Sequence, residues 1–64
     1  MKIHSAKRIH CALIDTNIGE FKVYQDGTME RWDAARYEFG SFDVDRFDVA
    51  DIDLIRETGI ALLN

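Results

Sequence analysis

Proline is absent from this 64-residue chain, and cysteine occurs once, at Cys11. Without proline there is no rigid spacer and no polyproline docking segment. One thiol cannot form an intrachain disulfide and cannot by itself build a four-ligand zinc site. No apolar run approaches the roughly 18 residues of a membrane span. Nor does an apolar stretch follow Lys2 in the manner of a signal peptide. Positive charge is also scarce: eight Lys and Arg stand against twelve Asp and Glu, a net charge of −4. A protein that neutralises nucleic-acid phosphates needs a basic footprint, so direct nucleic-acid binding is not expected. The expectation is a protein of the cytoplasm, with no membrane contact, no cofactor and no metal.

What is present suffices for one small domain over residues 1–64. Hydrophobic residues make up 47% of the chain, which is enough to fold. A chain near 60 residues buries only about 60% of its unfolded surface. Phe21, Trp32, Tyr37, Phe39, Phe42 and Phe47, with the Ile and Leu set, are therefore expected to form a core built around rings.

Residues 7–14 (KRIHCALI) alternate as a strand, with Ile9, Cys11 and Leu13 on one face and His10, Ala12 and Ile14 on the other. Turn formers occupy 15–19, and residues 20–25 alternate again. Asp26-Gly27 predicts a two-residue type I′ hairpin turn, which would place Phe21 opposite Trp32 and Val23 opposite Glu30. Phe21, Val23 and Trp32 then face the core, while Lys22, Tyr24, Met29 and Arg31 share the other, mildly basic face. A three-residue loop with a bulge would change that pairing. Residues 33–40 fit a helix capped by Asp33 and ended by Gly40, or a strand over Arg36–Phe39. The alternation of Tyr37 and Phe39 with Arg36 and Glu38 favours the strand, and Phe42 and Val44 resume it. A helix over about 48–58 follows, with Asp48 as N-cap, Asp51 in its first turn, Val49, Ile52 and Ile55 as its stripe, and Gly59 just past its end. Ile60–Leu63 fits a last strand or a packed tail. The fold class is α+β: a small antiparallel β-sheet of three to five strands packed against one main helix.

Charge is unevenly spread. Residues 1–32 carry five basic and four acidic side chains, a net +1, whereas residues 33–64 carry three and eight, a net −5. Asp43, Asp45, Asp48, Asp51, Asp53 and Glu57 form the candidate binding patch. On a strand, Asp43 and Asp45 would point the same way at roughly 6.6 Å. On a helix, Asp48 and Asp51, and Asp53 and Glu57, are neighbours at about 5–6 Å between Cβ atoms. Such carboxylates repel one another, and together they suit a basic surface that normally receives a phosphate backbone. Asp48 and Asp51 are equally explained as helix caps, and an acidic solvated face keeps a small protein soluble.

Other motifs fall short. An EF-hand begun at Asp43 would need glycine and glutamate where Asp48 and Leu54 stand. His10 and Cys11 point to opposite faces of a strand, which opposes a shared role, and Cys11 reads as a small core residue. No catalytic residue set and no phosphate loop is present, so an enzyme is not expected. Tyr24, Met29 and Trp32 fit a docking surface or simply the core.

In length, in its single α+β domain and in the cluster Asp43, Asp45, Asp48, Asp51, Asp53 and Glu57, the chain resembles the small acidic anti-CRISPR proteins of phages and mobile elements, such as those directed at type I-C complexes. That resemblance implies a non-enzymatic inhibitor in the cytoplasm of a bacterial host. It would occupy the basic DNA-binding surface of a CRISPR surveillance complex, by DNA mimicry or by steric block. Separately, a monomer is expected ahead of a homodimer. The basic segment Lys2–Arg8 departs from a DNA mimic. The alternative is a small interaction or regulatory module, antitoxin-like or a phage accessory, that binds through an apolar face.

Overall fold

Short alternating runs separated by tight reversals build a meander. The computed structural model describes residues 1–64 and places β1 (Ile3–Arg8), β2 (Ala12–Thr16), β3 (Gly19–Val23), β4 (Met29–Asp33) and β5 (Glu38–Gly40) in one antiparallel sheet whose strand order follows the chain. Helix α1 (Val49–Leu63) packs on one face of it, against β1, β2 and β3. This is the expected α+β class, with five strands and one main helix. No helix is long and apolar enough to cross a membrane.

The run 7–14 is not one strand. The chain reverses at residues 9–11, where the Ile9 amide donates to the Cys11 carbonyl at 2.8 Å. No glycine, proline or Asx residue marks this turn, so the alternation conceals it. Ala12, Ile14 and Thr16 are consequently the buried residues of β2, while Ile9 is exposed. Cys11 is buried, in keeping with its reading as a small interior residue.

The β3–β4 register differs by one residue from the expected one. Tyr24 N–H donates to Thr28 O and Gly27 N–H to Tyr24 O, each at 2.9 Å, which closes a three-residue loop with Gly27 at φ +88°. Asp26 Oδ1 accepts from the Thr28 amide at 3.0 Å and its hydroxyl at 2.7 Å, and this local tie favours the longer loop over the type I′ turn. Val23 therefore faces Met29, and Phe21 faces Arg31. Because strand side chains alternate, the slip moves Trp32 to the outer face and Met29 and Arg31 to the helix side. Lys22 and Arg31 thus lie on opposite faces. Arg31 Nη2 donates to the Ile18 carbonyl at 2.7 Å, and its guanidinium lies 5.2 Å from the Phe47 ring centroid. A planar, weakly hydrated cation tolerates that half-buried place.

Ala12, Ile14, Phe21, Val23, Ile52 and Ile55 make the buried core. Phe42 and Phe47 pack edge-on to Phe21 at 5.4 and 6.1 Å. Trp32, Tyr37 and Phe39 form a second, separate cluster, with Trp32 at 5.2 Å from each of the other rings. The core is accordingly aliphatic around one fully buried ring, Phe21, rather than built on all of them.

The strand favoured within 33–40 is present as β5, but Phe42 and Val44 do not extend it. Val44–Arg46 is a 3-10 turn, because the Asp43 carboxylate accepts the Asp45 amide at 3.0 Å and draws the chain out of the extended state. Asp48 caps α1 as expected, accepting the Ala50 amide at 2.8 Å. The helix does not stop near residue 58. Gly59 is buried inside it, and a Cβ there would lie 2.7 Å from both Val23 γ carbons. Glycine serves close helix–sheet approach here, and Ile60–Leu63 is the last helical turn.

Candidate functional site

The six carboxylates of the candidate patch lie on the 3-10 turn and on the first turns of α1, and each has its own local setting. Asp43 caps the 3-10 turn and lies 3.8 Å from Arg46 Nε. Asp45, expected beside it on a strand, sits in the first turn of that element, its carboxylate exposed and without a hydrogen-bond or ion partner. Asp48 caps α1. Asp51 is half-buried, with a carboxylate oxygen 3.9 Å from the Met1 ammonium. Asp53 Oδ1 accepts from Arg56 Nη1 at 2.9 Å, and the same guanidinium reaches the Gly27 carbonyl through Nε at 3.3 Å. Glu57, one turn beyond Asp53 on the same side of the helix, is exposed and unpartnered.

Four of the six therefore have structural work, and the strand-borne Asp43–Asp45 pair does not exist. Local pairing does not remove the charge excess. From Asp43 to Glu57 six acids face only Arg46 and Arg56, which leaves −4, as much as the net charge of the whole chain. Exposed ion pairs contribute little stability, so these arginines remain free to exchange for an external cation.

The second feature is the outer face of the sheet, away from α1. Trp32 pairs across strands with Phe39, Tyr37 packs edge-on to Trp32, and Lys22 Nζ stands 4.5 Å from the Phe39 ring centroid. Tyr37 is 83% exposed and held at φ +58°, in the turn that Asp33 braces by accepting the Ala35 amide at 3.0 Å. Bulky side chains are uncommon in that region of backbone space. Tyr24, on the same face, donates its hydroxyl to Glu30; this hydrogen bond, with burial, pushes the phenol up to about 12. Of the expected docking trio, Tyr24 and Trp32 share this face, but Met29 turns inward. Tyr37 and Phe39, placed with the core from sequence, belong to it instead. The Asp26–Thr28 spacing was the signal for that reassignment, since it shifts the register that decides which ring joins which face.

No three His, Cys, Asp or Glu side chains converge. His4 and His10 are exposed on separate segments while Cys11 is buried, and none of the surface depressions is lined by a histidine or by the cysteine. The chain matches none of the protein-family models, curated proteins or solved structures with which it was compared.

Proposed function

We propose that this protein is a non-catalytic inhibitor or binding protein whose segment Asp43–Glu57 meets a basic surface on a protein partner. One observation carries the reading: that segment holds an excess of four negative charges, with Asp43, Asp45, Asp48, Asp53 and Glu57 exposed on it. A surface of one sign speeds encounter with its complement and disfavours partners of like charge. The resemblance to small acidic anti-CRISPR proteins supplies the kind of partner, the DNA-binding surface of a CRISPR surveillance complex, blocked by mimicry or by bulk.

The test uses the two acids that no fold contact needs. Asp45→Lys with Glu57→Lys leaves the caps and ion pairs intact. In a competition between the protein and duplex DNA for a purified type I-C surveillance complex, the parent displaces DNA and the double variant loses that ability, with an unchanged melting temperature. Equal displacement by both proteins removes the acids from the interface.

A second reading rests on the outer sheet face. Exposed Tyr37 beside Trp32 and Phe39 suits an interaction or regulatory module that docks through apolar contact, since aromatic residues are enriched in interface cores. Tyr37→Ala would then abolish binding that Asp45→Lys leaves untouched.

A further inference from the structure

We infer that the free edge of β1 is a docking strand for an extended peptide with two consecutive acidic residues. The first fourteen residues contain Lys2, Lys7 and Arg8 and no carboxylate, while every Asp and Glu lies at or beyond Asp15. None of these three cations has a carboxylate within 4.0 Å, although four ion pairs form elsewhere. β1 bonds only to β2, so its other edge carries unpaired backbone groups, and Ser5, Ala6, Lys7 and Arg8 are all exposed.

An open edge of this kind can accept one more strand. The register of β1 shifts between Ile3 and Ser5, so regular pairing is confined to Ser5–Arg8. So short an edge gives few hydrogen bonds, and side-chain charge must select the occupant. Lys7 and Arg8 are adjacent and point to opposite faces, the first with Leu13 and the second with Ala12. An incoming strand therefore answers both cations only with neighbouring carboxylates, one per face. The same charges oppose edge-to-edge pairing of two copies of this chain. A nucleic-acid strand could meet the cations but not the backbone donors and acceptors between them.

The test is titration of the labelled protein with a ten-residue peptide of Val and Thr around a central Glu-Asp. Its controls are the Gln-Asn peptide, a peptide with proline beside the acids, and a single-stranded oligonucleotide of equal charge. Binding is expected for the first alone, with amide shifts confined to Ser5–Arg8. The variant Lys7→Glu/Arg8→Glu, both positions being exposed, should weaken it about tenfold or more while keeping its melting temperature. Equal binding of the proline peptide overturns backbone pairing, and equal or tighter binding of the oligonucleotide overturns the peptide assignment. Concentration-dependent self-association through β1 assigns the edge to a second copy instead. A lost Asp45/Glu57 effect on DNA displacement bears on the acidic segment alone and leaves this edge unaffected.

Discussion

Gly59 and Val23 are the tightest point between helix and sheet. Substitution of Gly59 by alanine gains helix propensity, worth up to about 1 kcal/mol, yet forces a methyl group against a fully buried valine. Overpacking costs about 1–3 kcal/mol, so Gly59→Ala should lower stability, and Gly59→Ala with Val23→Ala should recover part of it. Urea denaturation of the two variants measures this. Tyr24 gives a second residue-scale outcome. Its phenol titrates above the ordinary 10.0, at about 12, because the protonated form donates to Glu30. A raised value means that the contact contributes in full below pH 10 and is lost as pH rises through about 12. In an alkaline absorbance titration, Tyr24→Phe should abolish the component that rises near pH 12.

At the scale of elements, caps and turns explain most of what local sequence foretells. Asp48 accepts a first-turn amide, so Asp48→Ala should destabilise the fold by about 0.5–2 kcal/mol, whereas Asp45→Ala should leave it near the parent; thermal melts compare them. Asp26 behaves in the same local way. The amide and hydroxyl of Thr28 hold its carboxyl below the ordinary 3.8, so its contribution to the β3–β4 loop is present above that value and fades as pH falls below it. The helix start and the reversals near residues 17 and 27 were legible because each depends on partners within about four residues, and the strand within 33–40 because Phe39 alternates with Glu38 in a run that pairs back on β4. The turn at residues 9–11 and the end of α1 were not. One lacks any turn-forming residue, and the other was masked by a glycine whose reason lies in another element.

For the whole molecule, charge of the two signs is segregated. An acidic segment from Asp43 to Glu57 and a basic β1 edge belong to one small body whose maximum extent is 31 Å. Binding through the acids should weaken about tenfold or more as salt rises from low to physiological concentration. Docking through Trp32, Tyr37 and Phe39 should change little, and titration calorimetry at two ionic strengths distinguishes them. The candidate patch was legible as a count of charges but not as an arrangement. Arg46, Arg56 and the Met1 ammonium each take a carboxylate, through contacts that only the folded chain brings within reach for Met1 and that its helical turns bring within reach for the arginines.

Composition and short-range pattern alone determined the α+β class, the cap at Asp48 and the excess of negative charge toward the C-terminal end, because these arise from residue identity and from neighbours a turn apart. Tertiary structure decided which face each ring occupies, how far α1 runs and which carboxylates stay free. Strand side chains repeat every two residues, so a single-residue change in loop length inverts a face. Close approaches such as Gly59 on Val23 join residues 36 positions apart, beyond the reach of any local pattern.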